Sequence, residues 1–178
     1  GQMRYLAAAL KTAEFIGKQL YDPGPRRLWH RWRQGERAVP GIADDYAFLS
    51  QGLIDLYEAS FEPRWLEWAE DLGQEAITLF GGKASGFFLT AEGHDQNLLI
   101  RVMDDSDNVE PCASSVAAMN LLRLAQFTQR DDLREFALKT LRRFSGLMRD
   151  RPLSLPTMLG ALDYAESSPR QIVVSGSL

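Results

Sequence analysis

Apolar residues return at three- and four-residue steps along most of the chain, the spacing that lines one face of an α-helix. Leu6, Ala9, Leu10, Ala13, Ile16, Gly17 and Leu20 form such a stripe within residues 5–20. The stripe recurs in Trp65, Leu66, Ala69, Leu72, Ala76, Leu79 and Phe80, and again in Leu133, Phe136, Ala137, Leu141, Phe144 and Leu147. Three more evenly apolar segments, residues 45–60, 115–127 and 157–164, alternate with these and predict helices that lie deeper. Pro156, whose fixed φ suits a first helical position, opens the last of them.

The alternation is an internal repeat. Sliding the chain on itself by 68 residues lays Leu53 on Leu121, Leu56 on Leu124, Ala69 on Ala137 and Leu79 on Leu147, and a shift of 60 lays Ala9 on Ala69 and Leu20 on Phe80. One hairpin cannot bury its own apolar face, so hairpins repeated in this way predict an α-solenoid or a closed α/α ring. The order is outer, inner, outer, inner, outer, inner. Leu53, Leu56, Leu121, Leu124, Leu159 and Leu162 fall on the inner helices and are expected to be almost fully buried.

A unit of 60–70 residues is longer than the roughly 34–47 of common two-helix repeats, and the excess lies in two connectors, residues 22–44 and 81–111. In the first, residues 28–33 and 37–41 flank Gln34-Gly35-Glu36, and aromatic and polar residues alternate, which predicts a short β-hairpin. In the second, residues 86–90 and 98–102 predict another. Both lead into inner helices and so place loops and helix N-termini on one face, where function on a rigid scaffold belongs. Residues 171–176, with Ile172, Val173 and Val174 after Pro169, break the helical pattern and predict a strand-like tail. The expected division is half of an α/α toroid over 1–168 and a tail over 169–178 leading to a missing segment.

Composition narrows the function. Of 178 residues, 20 are Lys or Arg and 24 are Asp or Glu, a net charge of −4, which favours neither nucleic acid nor an anionic membrane as partner. No run approaches the roughly 18 apolar residues of a membrane span, and no secretory leader opens the chain. Cys112 is the sole cysteine, which excludes an internal disulfide and a cysteine metal cluster and agrees with a reducing, cytoplasmic setting.

Several segments carry a family resemblance. Gly41-Ile42-Ala43-Asp44-Asp45-Tyr46-Ala47-Phe48-Leu49 followed by Gly52-Leu53-Ile54-Asp55-Leu56-Tyr57-Glu58-Ala59, then Gly86-Phe87-Phe88-Leu89-Thr90-Ala91, then Glu110-Pro111 leading into residues 115–124, resemble the YyaL-like, spermatogenesis-associated thioredoxin-like family in order and over most of the chain. That resemblance implies a six-hairpin α/α toroid, related in fold to glycoside hydrolases and N-acylglucosamine epimerases, behind an N-terminal thioredoxin-like domain. No Cys-x-x-Cys occurs here, so that domain is expected to be absent from this piece. A full toroid has about twelve helices against the six read here, which implies a half ring, inactive alone, whose apolar cut edges self-associate or lower its stability. Where the resemblance calls for Ser-Gly-Asn-Ser, the chain has Cys112-Ala113-Ser114-Ser115.

The candidate chemistry is acidic. Asp44 and Asp45 stand at the start of an inner helix, where they can act as acid–base groups or bind sugar hydroxyls, and where Asp is also a favoured cap. Glu110 is the candidate partner acid, since glycoside hydrolysis uses two carboxyls about 5–10 Å apart. Trp29, Arg31, Tyr46 and Arg101 are the candidate substrate-binding residues, by stacking on sugar rings or pairing with a carboxylated substrate. Residues 104–108 fail the EF-hand pattern, with Glu110 and Val116 at the sixth and twelfth places from Asp105, and read as a solvated acidic turn; no metal and no cofactor are expected. His30 and His94 read as exposed loop histidines, Trp65 and Trp68 as packing residues, and Cys112 as a small buried residue. The leading reading is a carbohydrate-active-like domain with a saccharide as its ligand. Its rival is a non-catalytic scaffold or protein-interaction domain attached to a thioredoxin-like redox domain, and the residues leave open whether the domain is an enzyme.

Overall fold

The computed structural model describes residues 3–83, 85–94 and 98–167. Among the described residues six helices carry the fold: α1 (Met3–Gln19), α2 (Ala43–Ser60), α3 (Pro63–Phe80), α4 (Ala113–Thr128), α5 (Asp131–Asp150) and α6 (Pro156–Glu166). Helices α2, α4 and α6 pack side by side as an inner layer, α3 packs chiefly on α2 and α5 chiefly on α4, and α1 lies outside α2. The chain is an array of helical hairpins in which inner and outer helices alternate, as the period of the sequence predicts.

The 68-residue repeat reappears in backbone angles. Helix α2 ends at Phe61 (φ 57°, ψ 21°) and α4 at Gln129 (φ 56°, ψ 33°), both left-handed, and each is followed by one extended residue, Glu62 or Arg130, before the outer helix starts. A left-handed cap turns the chain sharply and usually favours glycine. Its recurrence on Phe and Gln at equivalent places shows that the hairpin geometry is set by packing of the two helices and is imposed on the turn. Arg130 then ties neighbouring outer helices, with Nη1 2.7 Å from Glu70 Oε1 and Nη2 2.9 Å from Gln74 Oε1.

Between the layers, Leu53, Leu56, Leu121 and Leu124 are buried with Ile54, Leu72, Phe80 and Leu133. Asn120 of α4, itself buried, donates to the Ala47 carbonyl of α2 at 2.7 Å. Leu159 and Leu162, expected to be buried, are only half-buried; α6 turns Leu155, Met158 and Ala161 to α4, and no outer helix covers its other side among the described residues.

The first connector forms the expected hairpin, with β2 (Arg27–Arg33) antiparallel to β3 (Glu36–Pro40) and a two-residue strand β1 (Tyr21–Asp22) on the other edge of β2. Gln34 and Gly35 both have positive φ, the twist-matched turn for a two-residue loop. The buried Tyr46 of α2 seats this sheet: its hydroxyl accepts the Leu28 N–H at 2.8 Å, and the Gly41 N–H reaches the Leu28 carbonyl at 2.7 Å.

The second connector departs from its prediction. Among its described residues there is one isolated bridge, Gly81 to Phe87, and no ladder between residues 86–90 and 98–102. The backbone groups of residues 86–90 are taken elsewhere: Phe88 N–H goes to the Phe80 carbonyl, Gly86 N–H to Thr140, Phe87 N–H to Ser114, and the Leu89 carbonyl to Ala43. Among the described residues a single backbone–backbone bond, Leu89 N–H to the Val102 carbonyl, links the two segments. The tail over 171–176 lies outside the described residues.

Asp107 holds two inner helices at once. Its Oδ1 accepts the Cys112 N–H at 3.0 Å and its Oδ2 the Thr157 N–H at 2.8 Å, at the starts of α4 and α6. The acidic turn is therefore a clamp. Asp107→Ala should cost about 2–3 kcal/mol, since each lost cap is worth about 0.5–2 kcal/mol, with Asp107→Asn losing less; urea unfolding of the three proteins measures it. Tyr46→Phe should cost about 1–3 kcal/mol by leaving the Leu28 N–H buried and unpaired, and the same unfolding curves check it.

Candidate functional site

A cleft of about 670 Å³ opens between α1, the start of α2 and the hairpin. Its floor is apolar, with Ala9, Ala13 and Ile16 of α1 facing Leu49 and Leu53 of α2, and Phe48 stands on its wall. Its polar rim gathers Asp44, Asp45, His30 and Glu110. The adjacent carboxyls of Asp44 and Asp45 thus share one cavity with the distant Glu110, because the second connector returns the chain from α3 to the start of α4 beside the start of α2.

Each acidic residue at the start of α2 has its own environment. Asp45 accepts the Ile42 N–H through Oδ2 at 2.8 Å, which caps its own helix, and the same oxygen is 2.9 Å from His30 Nδ1. With Asp45 ionised the carboxylate can only accept, and the contact then needs a proton on His30 Nδ1. Asp44 is half-buried. Burial is the main cause that lifts its carboxyl above the usual carboxylate range, the negative charges of Asp104, Asp45 and Glu110 push the same way, and a hydrogen bond from the Ala113 N–H opposes them. Two adjacent carboxyls are therefore set apart, one anchored by a cap and an imidazole, the other biased toward its protonated form.

His30 is the residue that sequence reasoning missed. It is exposed, as the sequence predicts, but it stands on strand β2 and not in a loop, on the face that carries Trp32, which meets Phe15 of α1 edge-on at 6.1 Å. The alternation was the signal. Opposite His30 on β3, Val39 is held at φ 64°, a strained conformation for a β-branched residue, beside the rim of the cleft.

The structure does not bring Trp29, Arg31, Tyr46 and Arg101 to this cleft. Trp29 lies on the other face of β2, its indole N–H donating to Asp22 at 2.9 Å and the Arg37 guanidinium above its ring. With Tyr46 and His94 it lines a separate cavity of about 390 Å³. Arg31 is exposed on the Trp29 face of the strand. Arg101 donates to the Thr90 and Leu79 carbonyls at 2.9 and 3.2 Å and lies over the Phe88 ring, so it braces the second connector. Burial lifts the Cys112 thiol, and its sulfur sits 3.3 Å from the Ser115 hydroxyl, the setting of a packed residue. Among the described residues no group of three or more acidic, His or Cys side chains could hold a metal ion, and no helix is long and apolar enough to cross a membrane.

No family model matches the sequence. Human spermatogenesis-associated protein 20 is 38% identical over 185 aligned positions, which cover 99% of this chain and 24% of that protein. The mouse protein of the same name is 37% identical, covering 99% of this chain and 23% of that one. Among solved structures, the GH76 α-mannanase BT2949 of Bacteroides thetaiotaomicron is similar with a TM-score of 0.46 and 14% identity, covering 76% of this chain and 52% of that one. The chain spans about a quarter of the length of the curated relatives it matches. From end to end, the chain is thus similar to one segment of spermatogenesis-associated protein 20.

Proposed function

We propose that the cleft at the head of α2 binds a carbohydrate, with Asp44 as its proton-donating acid and the Asp45–His30 pair as the base or hydroxyl-binding partner. The observation that carries this reading is the gathering of Asp44, the Asp45–His30 pair and Glu110 on the rim of one cavity, where burial also lifts the Asp44 carboxyl above its usual range. Glu110 on the same rim adds a third carboxyl, beyond the two that acid-and-base chemistry on a sugar uses. The apolar floor and Phe48 suit the less polar faces of a sugar ring, while the rim suits its hydroxyls.

A screen of neutral mono- and oligosaccharides by titration calorimetry tests the reading. Binding should weaken about tenfold or more in Asp44→Asn and in Asp45→Asn, the cost of one lost charged hydrogen bond, and persist in Arg101→Lys, which lies outside the cleft. Absence of any saccharide binding by a folded chain favours the non-catalytic scaffold instead.

The electrostatics make a separate prediction. Because the folded Asp44 holds its proton more tightly than the unfolded chain does, stability falls as pH rises from the unfolded carboxyl value through the raised folded one. Asp44→Asn, whose amide oxygen can still accept the Ala113 N–H, should therefore be more stable than the parent at pH 7, with the gain vanishing below about pH 4. Thermal melts across pH 3–8 read the crossover.

A further inference from the structure

The charge around the cleft at the head of α2 is one-sided. Of the residues that line it, Asp44, Asp45 and Glu110 carry carboxyls, His30 is the only base, and none is Lys or Arg. His30 is already engaged by Asp45, 2.9 Å from Oδ2. The cations on the surrounding elements do not offset the excess. On α1, Lys11 and Lys18 lie across the helix from Ala9, Thr12, Ala13 and Ile16, at about 100° per residue. On β2, Arg31 and Arg33 share the Trp29 face, opposite to His30. Arg37 pairs with Asp22 at 2.6 Å, Arg101 donates to the Thr90 and Leu79 carbonyls, and Arg123 is held by Asp55 and Glu58.

A cavity with low-dielectric walls and carboxylates of one sign focuses a negative field and favours a cation. Building on the reading that this cleft binds a carbohydrate, we propose that its ligand is an amino sugar, whose protonated amine meets the rim carboxyls of Asp44, Asp45 and Glu110, in preference to a neutral or an acidic sugar. The field is felt inside the cleft: the charges of Asp45, Glu110 and the exposed Asp104 all act in one direction on the half-buried Asp44. An acidic sugar brings a further carboxylate to this rim, a repulsion that discriminates against it. The floor selects the skeleton. Ala13, Ile16, Leu49 and Leu53 are apolar, so a linear polyamine, charged along its length, lays ammonium groups where nothing solvates them. A sugar ring puts its C–H faces on that floor and a single amine at the rim, and about 670 Å³ holds it.

Three charges on one ring test the assignment. The whole 178-residue protein is titrated by calorimetry with the methyl glycosides of glucosamine, glucose and glucuronic acid, and with their galacto counterparts, at about pH 6, where an alkyl amine is protonated. The amino glycoside should bind about tenfold or more tightly than the neutral one, and the acidic one should bind most weakly. Raising salt from about 0.15 to about 0.5 M should weaken the amino glycoside and leave the neutral one nearly unchanged. Glu110→Gln should narrow the margin at least about threefold, and Asp104→Asn, outside the lining, should act in the same direction. Both residues are exposed, and circular dichroism of each variant checks its fold. A neutral glycoside that binds as tightly as the amino one overturns the amino-sugar assignment and leaves the carbohydrate reading in place. Spermidine that competes with the amino glycoside at equal affinity also overturns it, because the cleft then selects charge alone. Failure of every glycoside to bind at about 10 mM removes the carbohydrate reading, and this assignment with it.

Discussion

An inner helix in this fold begins against other protein, and the first N–H groups of a helix have no partner within it. That requirement organises the molecule. The Ala43 N–H goes to the Leu89 carbonyl of the second connector, the Ile42 N–H to Asp45, the Cys112 and Thr157 N–H groups to Asp107, and the Ala113 N–H to Asp44. Leu89, Asp107 and Asp44 lie outside the helices whose N–H groups they take, and Asp45 caps its own. The starts of three inner helices and the second connector are thereby joined into one polar layer at one end of the array, and helix α2 cannot shift against α4 without exposing a donor.

The same layer forms the rim of the cleft. Carboxylates are the side chains best suited to helix N-termini, because they accept hydrogen bonds and meet the positive end of the helix dipole. Concentrating them at one end of an array also concentrates negative charge, and Asp44 bears the consequence, its ionised form disfavoured by burial and by three neighbouring carboxylates. Structure and candidate chemistry are therefore not separable at this position. Asp107, which satisfies two helices and takes no part in lining the cleft, is the purely architectural member of the group.

Repetition governs the rest. Matching turns at Phe61 and Gln129, 68 positions apart, show the inner–outer hairpin as a unit of fixed geometry. Where the unit is complete, its leucines are buried; on α6, which carries no outer helix among the described residues, Leu159 and Leu162 are partly open to solvent and arginines of α5 flank them. Burial in this array is thus a property of neighbouring helices, and the edge helices keep the apolar pattern without its full effect.

Six helices, their alternation, the 68-residue repeat and the first hairpin were legible in the sequence because each depends on local periodicity or on turn chemistry, which neighbouring residues specify. Asp44, Asp45 and Glu110 were legible as candidates for the same reason, two by their place at a helix start and one by its place before another. What the tertiary structure decided is partnership. Residues 86–90 and 98–102 have strand-like patterns, but Phe80, Thr140, Ser114 and Ala43 compete for the backbone of the first segment, and non-local competitors leave no mark in local sequence. Tyr46, Trp29 and Arg101 look like ligand-binding residues until packing assigns their polar atoms to the Leu28 N–H, Asp22 and two carbonyls. His30 shows the reverse: a histidine in a hairpin is unremarkable until the sheet docks on α2 and sets it against Asp45. Periodicity determines which faces are apolar and which ends are acidic; which groups then meet is settled only when the hairpins close on one another, because buried donors and charges must find partners wherever in the chain those lie.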